Sequence, residues 1–164
     1  MKFRTIALTL ALVGLANVSF SDDALQLGNR TVINLDIAKA IAAASAEYAS
    51  GKEWAVNIAI VDDGSNLLYF ERGDGVQTGS IEIAIRKAET AAAFKRETKV
   101  FDELASSGRT GILSIPGGLI LEGGVPIILK GEVLGAVGVS GVKSQQDAEI
   151  AHAGIEAVMK QFEE

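Results

Sequence analysis

Residues 117–141, GGLILEGGVPIILKGEVLGAVGVSG, decide the fold of this chain. They contain two apolar runs, 125–130 and 133–140, which predict two β-strands. The short interval at Gly131-Glu132 predicts a tight turn between the strands. The stretch is therefore interpreted as a β-hairpin, and the remaining elements are arranged around it.

Two glycines, Gly135 and Gly138, interrupt the second of these strands. Glycine inside a strand costs stability, so it usually marks a bulge or a place where another backbone or a ligand comes close. We expect the glycines in strands and helices to serve packing between subunits. On this hypothesis, Gly138→Val would change the oligomer.

A second hairpin and four helical patterns accompany the glycine-rich stretch. The predicted strands are 54–61, 66–72, 119–121, 125–130 and 133–140, and the predicted helices are 35–50, 78–96, 99–106 and 144–162. Hairpin connections imply antiparallel pairing, with helices gathered on one side or at the ends of the sheet. The order predicts one domain of the α/β (α+β) class, in which helices on one side or at the ends of the sheet flank a central five-stranded antiparallel sheet.

Polar residues at the start of each helical pattern predict the helix caps. Asn34 precedes the first helix, and Thr78 or Ser80 precedes or begins the second. Ser144 followed by Asp147 has the spacing of a capping box at the start of the last helix.

The N-terminus, MKFRTIALTLALVGLANVSFSDD, has the pattern of a secretory signal. Lys2 and Arg4 precede an apolar run, 6–16, which is too short to span a bilayer comfortably. Small residues at Ser19 and Ser21 predict cleavage near Ser21. We therefore predict a signal peptide at 1–21 and one domain at 22–164 in the periplasm or outside the cell. An uncleaved N-terminal anchor is the alternative.

Composition excludes several classes of function. The formal net charge is −6, and it becomes more negative without Lys2 and Arg4. An acidic chain without a basic run is a poor partner for nucleic acid. The chain has no cysteine, which excludes disulfides, thiolate metal sites and cysteine nucleophiles. No second apolar span follows the signal, so stable membrane insertion after cleavage is not expected.

Two further patterns allow more than one reading. The glycines at 131, 135, 138 and 141 invite comparison with a dinucleotide-binding fingerprint, but their spacing is wrong and they lie within a strand. His152 is the only histidine. It could ligate a haem iron or a metal, or it could be a partly exposed structural residue, since no second ligand accompanies it.

Arg72 and Asp74 lie where the second hairpin strand ends, and Lys87 and Thr90 share a face of the long helix. An arginine, a lysine and a hydroxyl that converge could hold carboxylates. Surface ion pairs of small energetic value are the equally weighted alternative.

Four segments together resemble the GlcG/HbpS-like proteins, a haem-degrading or haem-binding family that includes the C-terminal domain of PduO-type proteins. The segments are VDDGSNLLYFERGDG at 61–75, SIEIAIRKAETA at 80–91, IPGGLILEGGVPII at 115–128 and GEVLGAVGVSGVKSQQDAEIAHAG at 131–154. The resemblance covers roughly residues 35–162 and implies a profilin-like domain that forms homo-oligomers and, in some members, binds haem.

The resemblance implies a set of ligand-binding positions. These are Arg72, Asp74, Lys87, Thr90, Gly117, Gly118 and Ser140. His152 is the candidate haem iron ligand because it is the only histidine, not because the family implies it. Some haem-binding relatives use a histidine near the start of the domain, whereas residues 22–60 contain none. Thr90, Tyr48, Tyr69, Met159 or His152 would have to replace it.

Two functions follow as hypotheses. In the first, the chain is an exported haem-binding protein that sequesters or degrades haem. Its slot would lie between the hairpin and the long helix, with Arg72 or Lys87 paired to the propionates. In the second, it is a sensor or enzyme for small carboxylates of glycolate-type metabolism. Arg72, Asp74 and the Gly117-Gly118 backbone would then form the anion site.

Overall fold

The glycine-rich stretch forms a β-hairpin at one edge of a four-stranded antiparallel sheet in the computed structural model, which describes residues 28–163. The predicted signal peptide, 1–21, lies outside the described residues. The helices and strands that are described fall within one unit, Thr31–Glu164. None of the described helices has the length and apolar content needed to cross a membrane.

The elements follow the predicted order with one exception. They are α1 (Leu35–Gly51), β1 (Asn57–Asp62), β2 (Leu67–Arg72), α2 (Gly79–Phe94), α3 (Thr98–Ser106), β3 (Gly124–Leu129), β4 (Glu132–Ser140) and α4 (Ser144–Met159), with short 3₁₀ turns at Thr110–Ser114 and Lys160–Phe162. The strands lie in the order β2-β1-β4-β3, and every neighbouring pair is antiparallel. The α+β class is confirmed.

The prediction of a fifth strand at 119–121 is wrong. These residues form a loop, in which the Leu119 N–H donates to Thr90 Oγ1 at 2.8 Å. The Glu122 N–H donates to an Asp102 carboxylate oxygen at 3.0 Å. Because side chains of α2 and α3 satisfy these backbone groups, the segment gains no advantage from pairing as a strand.

The predicted turn between β3 and β4 and the predicted N-cap of α4 each differ from the structure by one residue, whereas the predicted cap of α1 is confirmed. Lys130 and Gly131, both with positive φ, occupy the tight turn between β3 and β4. Asn34 caps α1, since its side chain accepts from Ile37 N at 2.9 Å. Lys143, rather than Ser144, is the N-cap of α4, and its N–H donates to Gln146 Oε1 at 3.2 Å. The predicted capping role of Asp147 is therefore wrong.

The two faces of the sheet are packed differently. Large aliphatic side chains fill the space between the sheet and helices α1 and α4. On the other face the core is almost entirely alanine from α2 and small residues from β1 and β4. Helix α2 consequently lies very close to the sheet.

Gly138 shows how close this approach is. A Cβ atom at Gly138 would lie 2.0 Å from the Ala84 carbonyl oxygen, in the backbone of α2. A Cβ atom at Gly154, in α4, would lie 1.9 Å from Ser45 Oγ of α1. Both glycines therefore serve packing inside the subunit, and the expected role between subunits stays a prediction.

Candidate functional site

Lys87 lies on the face of α2 that packs against the sheet. Its side chain is buried there although it carries a positive charge. It is 2 % exposed, and its ammonium donates to Asp147 Oδ2 at 2.7 Å and to the Val139 carbonyl oxygen at 2.9 Å. The other carboxylate oxygen of Asp147 accepts from Val142 N at 3.2 Å. Burial raises the pKa of Asp147, and the neighbouring Lys87 ammonium opposes that rise. The pair ties α2 to β4 and α4.

This arrangement corrects the prediction that Lys87 would pair with a bound propionate. Two of its three N–H donors already have partners inside the subunit, and the side chain is almost completely shielded from solvent. A buried lysine is tolerated only when it is paired and hydrogen-bonded, because an isolated ammonium in a protein interior is very unfavourable. Lys87 is therefore a structural residue in this fold.

Thr90 holds the loop that begins at Gly117. Its hydroxyl donates to the Arg86 carbonyl oxygen at 2.7 Å and accepts from Leu119 N at 2.8 Å. The Arg86 guanidinium also reaches the Gly117 carbonyl oxygen at 3.4 Å. The structure thus brings Thr90, Gly117 and Gly118 together. Since Thr90 is 1 % exposed, its hydroxyl anchors a loop and is not presented to a ligand.

Arg72, Asp74 and Ser140 lie elsewhere. Arg72 ends β2 and is exposed, as is Asp74, whereas Ser140 is buried at the end of β4. These strand ends lie level with the first turn of α2, while Thr90 lies ten residues further along that helix. At about 1.5 Å per residue this is a separation of about 15 Å. The anion site predicted from Arg72, Asp74 and Gly117-Gly118 is therefore not assembled within one subunit.

The predicted haem slot between the hairpin and α2 is also not present. Ala59, Ala84, Ala88 and Ala136 are each fully buried in this interface. The backbone of α2 lies directly against Gly138. A planar ligand would have to separate α2 from the sheet, so the interface is core rather than a binding site.

Two surface grooves lie on other parts of the molecule, and each has a volume of about 310 Å³. The Trp54 groove lies between α1 and the start of the first hairpin, and three carboxylates line it: Glu53, Glu71 and Asp74. The His152 groove lies between α4 and the edge strand β3. It is lined by Ile128, His152, Ile155, Glu156, Met159, Lys160 and Glu163.

The environment of His152 distinguishes the second groove. The side chain is 51 % exposed, and Nε2 lies 3.4 Å from the Glu97 carboxylate. Ile128 is exposed on the edge of the sheet, and Met159 is 4 % exposed at the groove floor. The groove therefore combines a solvent-accessible imidazole with an apolar surface. Among the described residues, no group of three or more histidine or carboxylate side chains is arranged to hold a bare metal ion.

The other candidate iron ligands are less accessible to a metal. The Tyr48 hydroxyl donates to Glu149, and this hydrogen bond raises the pKa of the phenol. The Tyr69 hydroxyl lies 3.5 Å from Glu71. Because a tyrosine ligand binds iron as the phenolate, the adjacent Glu149 carboxylate disfavours Tyr48 as an iron ligand.

Comparison with known proteins places the chain in a family. Residues 33–156 match the family model described as "Haem degrading protein HbpS-like". The chain belongs to the HbpS-like family. Protein GlcG of Escherichia coli K12 is 41 % identical over 111 residues, which are 68 % of this chain and 83 % of GlcG.

Solved structures support the assignment of this chain to the HbpS-like family. A double mutant of HbpS from Streptomyces reticuli superposes with a TM-score of 0.74 at 31 % identity and covers 85 % of this chain and 94 % of its own. A PduOC–haem complex superposes with a TM-score of 0.70 at 25 % identity and covers 78 % and 96 %, respectively. The predicted resemblance to the GlcG/HbpS-like proteins is confirmed.

Sequence reasoning missed the partner of Lys87, although one signal was available. Lys87 falls three residues after Ala84 and four before Ala91, and therefore on the inward-facing stripe of α2. A lysine in that position requires a buried carboxylate. Nothing local identifies Asp147 as that carboxylate, because it lies 60 residues away.

Proposed function

We propose that this HbpS-like protein is an exported haem-binding protein that holds haem, or a similar planar tetrapyrrole, in the His152 groove. The family description and the haem complex of the neighbour PduOC support the ligand class. The proposed location rests on the solvent-accessible imidazole of His152, which lies beside the apolar floor of the groove.

The side chains of this groove fit the chemistry of haem. Histidine is the commonest proximal ligand of haem iron, and methionine is a ligand in some haem proteins. Ile128 and Ile155 would pack against the porphyrin, and Lys160 supplies a cation for a propionate. The Trp54 groove is lined by three carboxylates and no cation and would repel the propionates, whereas Lys160 offsets Glu156 and Glu163 in the His152 groove.

Glu97 would position the ligand residue. Its carboxylate lies 3.4 Å from Nε2 of His152 and belongs to a different element, at the start of α3. Carboxylates next to ligating histidines fix the orientation of the imidazole ring and are themselves important for affinity. Bound haem would supply the redox chemistry, and the protein would supply binding and orientation.

We further propose that the protein works as a homo-oligomer. A groove of about 310 Å³ is at the lower limit of the range of about 300–1,000 Å³ for ligand sites. One subunit would therefore enclose only part of a haem. A second copy could cover the remainder, and the exposed Ile128 on the edge strand is suited to such a contact.

Export is a separate part of the proposal. It rests on the basic, apolar and small-residue pattern of residues 1–21. N-terminal sequencing of protein recovered from the periplasm or medium should give a start near Asp22. Recovery only of the full-length chain in the cytoplasm would overturn this part and leave haem binding to be judged on its own.

The test of haem binding is a titration of the purified protein with haemin, followed by the Soret band. We expect a saturable shift of the band that His152→Ala abolishes and Tyr69→Phe, the matched control outside the groove, leaves unchanged. Met159→Leu keeps the apolar floor but removes the thioether, so it should alter the band only if sulfur ligates the iron. An unchanged Soret band across the full titration of the wild type would refute the proposal.

A further inference from the structure

A row of polar side chains crosses three strands where the sheet meets the first turn of α2. Asn57 of β1 is the Cα partner of Arg72 in β2 and of Ser140 in β4. Cross-strand partners in an antiparallel sheet point to the same face. Arg72, Asn57 and Ser140 therefore share one face.

That face is the one covered by α2. The next row on the same face lies two residues away along each strand. It consists of Phe70, Ala59 and Gly138, and these residues pack against α2. Since side chains alternate with a period of two, the row that contains Asn57 faces α2 as well.

Ser80 supplies a fourth polar group from the helix. The Ala84 carbonyl oxygen is the atom closest to a Cβ placed at Gly138, so Ala84 lies on the face of α2 that meets the sheet. Ser80 lies four residues earlier and therefore occupies the same face, one turn nearer the N-terminus of the helix. Ser80 is 1 % exposed and Ser140 is 5 % exposed. The direction of α2 agrees with this placement, because Ser65, at the far end of β1, contacts the Glu89 carbonyl oxygen.

Asn57 has an unused donor at this point. The residue is completely buried, and its Oδ1 accepts from Gly73 N at 3.2 Å, which fixes the orientation of the amide. Its Nδ2 has no hydrogen-bond partner among residues 28–163. A buried donor left unpaired destabilises the fold, so such groups usually have a ligand or water as partner.

The groups that converge here are all suited to donate. They are the Asn57 amide and the hydroxyls of Ser80 and Ser140, beside the N-terminus of α2, where the N–H groups of Ser80 and Ile81 donate to the carbonyl oxygens of Gln77 and Thr78. The helix dipole adds positive potential, and exposed Arg72 adds one full positive charge. Together they match an oxyanion with a single negative charge.

The geometry points to a binding site for the carboxylate of a small organic acid, formed by Asn57, Ser80, Ser140 and Arg72 at the N-terminus of α2. The site is independent of the proposed haem groove. It also differs from the anion site predicted from the sequence, because Gly117-Gly118 and Asp74 take no part. A carboxylate is favoured over phosphate because Arg72 is the one cation among the four residues and the other three side chains are buried.

The experiment is an NMR titration of the ¹⁵N-labelled full chain with sodium acetate against sodium chloride at equal ionic strength. The side-chain amide of Asn57 and the backbone amide of Gly79 should shift saturably with acetate. Acetamide, which is neutral and of the same shape, should produce no comparable shift. Inorganic phosphate should bind more weakly than acetate.

Variants connect the shift to the site. Ser80→Ala and Ser140→Ala should each weaken acetate binding roughly tenfold, since hydrogen bonds to charged groups are worth about that much. Arg72→Gln should weaken it as well. Ser107→Ala and Arg109→Gln alter exposed residues distant from α2 in sequence and should leave it unchanged.

Three results would overturn the inference. The first is the absence of a saturable acetate shift, which would leave water as the partner of Asn57. The second is equal shifts with acetamide or tighter binding of phosphate. The third is acetate binding that none of the Ser80, Ser140 and Arg72 variants weakens. Haem binding would be unaffected in each case, because the haemin titration tests that proposal independently of acetate binding.

Discussion

The two faces of the sheet are held by different kinds of interaction. On the α1/α4 face, large aliphatic side chains such as Ile41, Ile58 and Ile150 fill the core. On the α2 face, alanines bring two backbones into contact, and buried polar groups such as Lys87 and Thr90 join the elements. The first face should tolerate small changes of volume. The second depends on exact backbone spacing and on complete pairing of its polar groups.

The largest effect should come from breaking the buried ion pair on the α2 face. Lys87→Met leaves the Asp147 carboxylate buried without its cation, so we expect the free energy of unfolding at neutral pH to fall by about 3–5 kcal/mol. Urea denaturation measures this loss. The exposed pair Lys52–Glu149, at 3.8 Å, is the matched control, and Lys52→Met should change stability by less than about 1 kcal/mol. Equal losses in the two variants would contradict the distinction.

The buried ion pair on the α2 face should also make stability depend on pH. Burial raises the pKa of Asp147, so the native state holds this proton more tightly than the unfolded chain does. The contribution of Asp147 is therefore greatest below the ordinary aspartate pKa of about 3.9 and is lost as the pH rises through the native pKa.

In Lys87→Met the opposing cation is absent, so the pKa of Asp147 should rise further and stability should fall more steeply with increasing pH than in the wild type. The double variant Lys87→Met/Asp147→Asn should lose this additional slope. Urea denaturation at a series of pH values tests both statements. Identical slopes in the wild type and Lys87→Met would show that the pair does not control the titration of Asp147.

A smaller effect is expected from the close backbone contact on the α2 face. Gly138→Ala would place a methyl group against the Ala84 carbonyl oxygen, so we expect a loss of about 1–3 kcal/mol by overpacking. Ile150→Val removes one methyl group from the opposite face and should cost about 0.5–1.5 kcal/mol. If Gly138→Ala proved the milder variant, the contrast between the faces would be wrong. Size-exclusion chromatography would show whether the subunit number also changes.

The smallest effect concerns a polar atom on the aliphatic face. Ser45 Oγ is buried between α1 and α4 without a hydrogen-bond partner among the described residues. Ser45→Ala removes that hydroxyl and leaves little space, so the free energy of unfolding should stay the same or rise by up to about 1 kcal/mol. Thermal unfolding measures this change in stability, with Ala46→Ser as the control. A clear loss of stability in Ser45→Ala would mean that the hydroxyl has a partner.

Much of the fold could be predicted because its patterns are local. The alternation of Ile58 and Ile60 with Ala59 and Val61 predicts a strand, and turn residues mark both hairpins. Asn34 predicts the start of α1 through its own side-chain hydrogen bond. The family could be recognised as well, since it rests on four segments in sequence order.

The candidate site was predicted less completely, because it depends on which faces meet. His152 could be placed on the last helix, but its position beside Glu97, Ile128 and Lys160 comes from three separate elements. Lys87 and Thr90 share a helix face, as expected. That face turned out to meet Asp147 and the Gly117 loop rather than a ligand.

Periodicity, turn residues and motif order predict the helices, the two hairpins, the α+β class and the family, because these signals are properties of short segments. The loop at 119–121 and the closed interface between the hairpin and α2 are visible only in the folded chain. The same holds for the burial of Lys87 and for the position of Asn57 beside Ser140. Each of these depends on contacts between residues far apart in the chain. Burial and the pairing of polar groups select those contacts, and neither is visible in a local pattern.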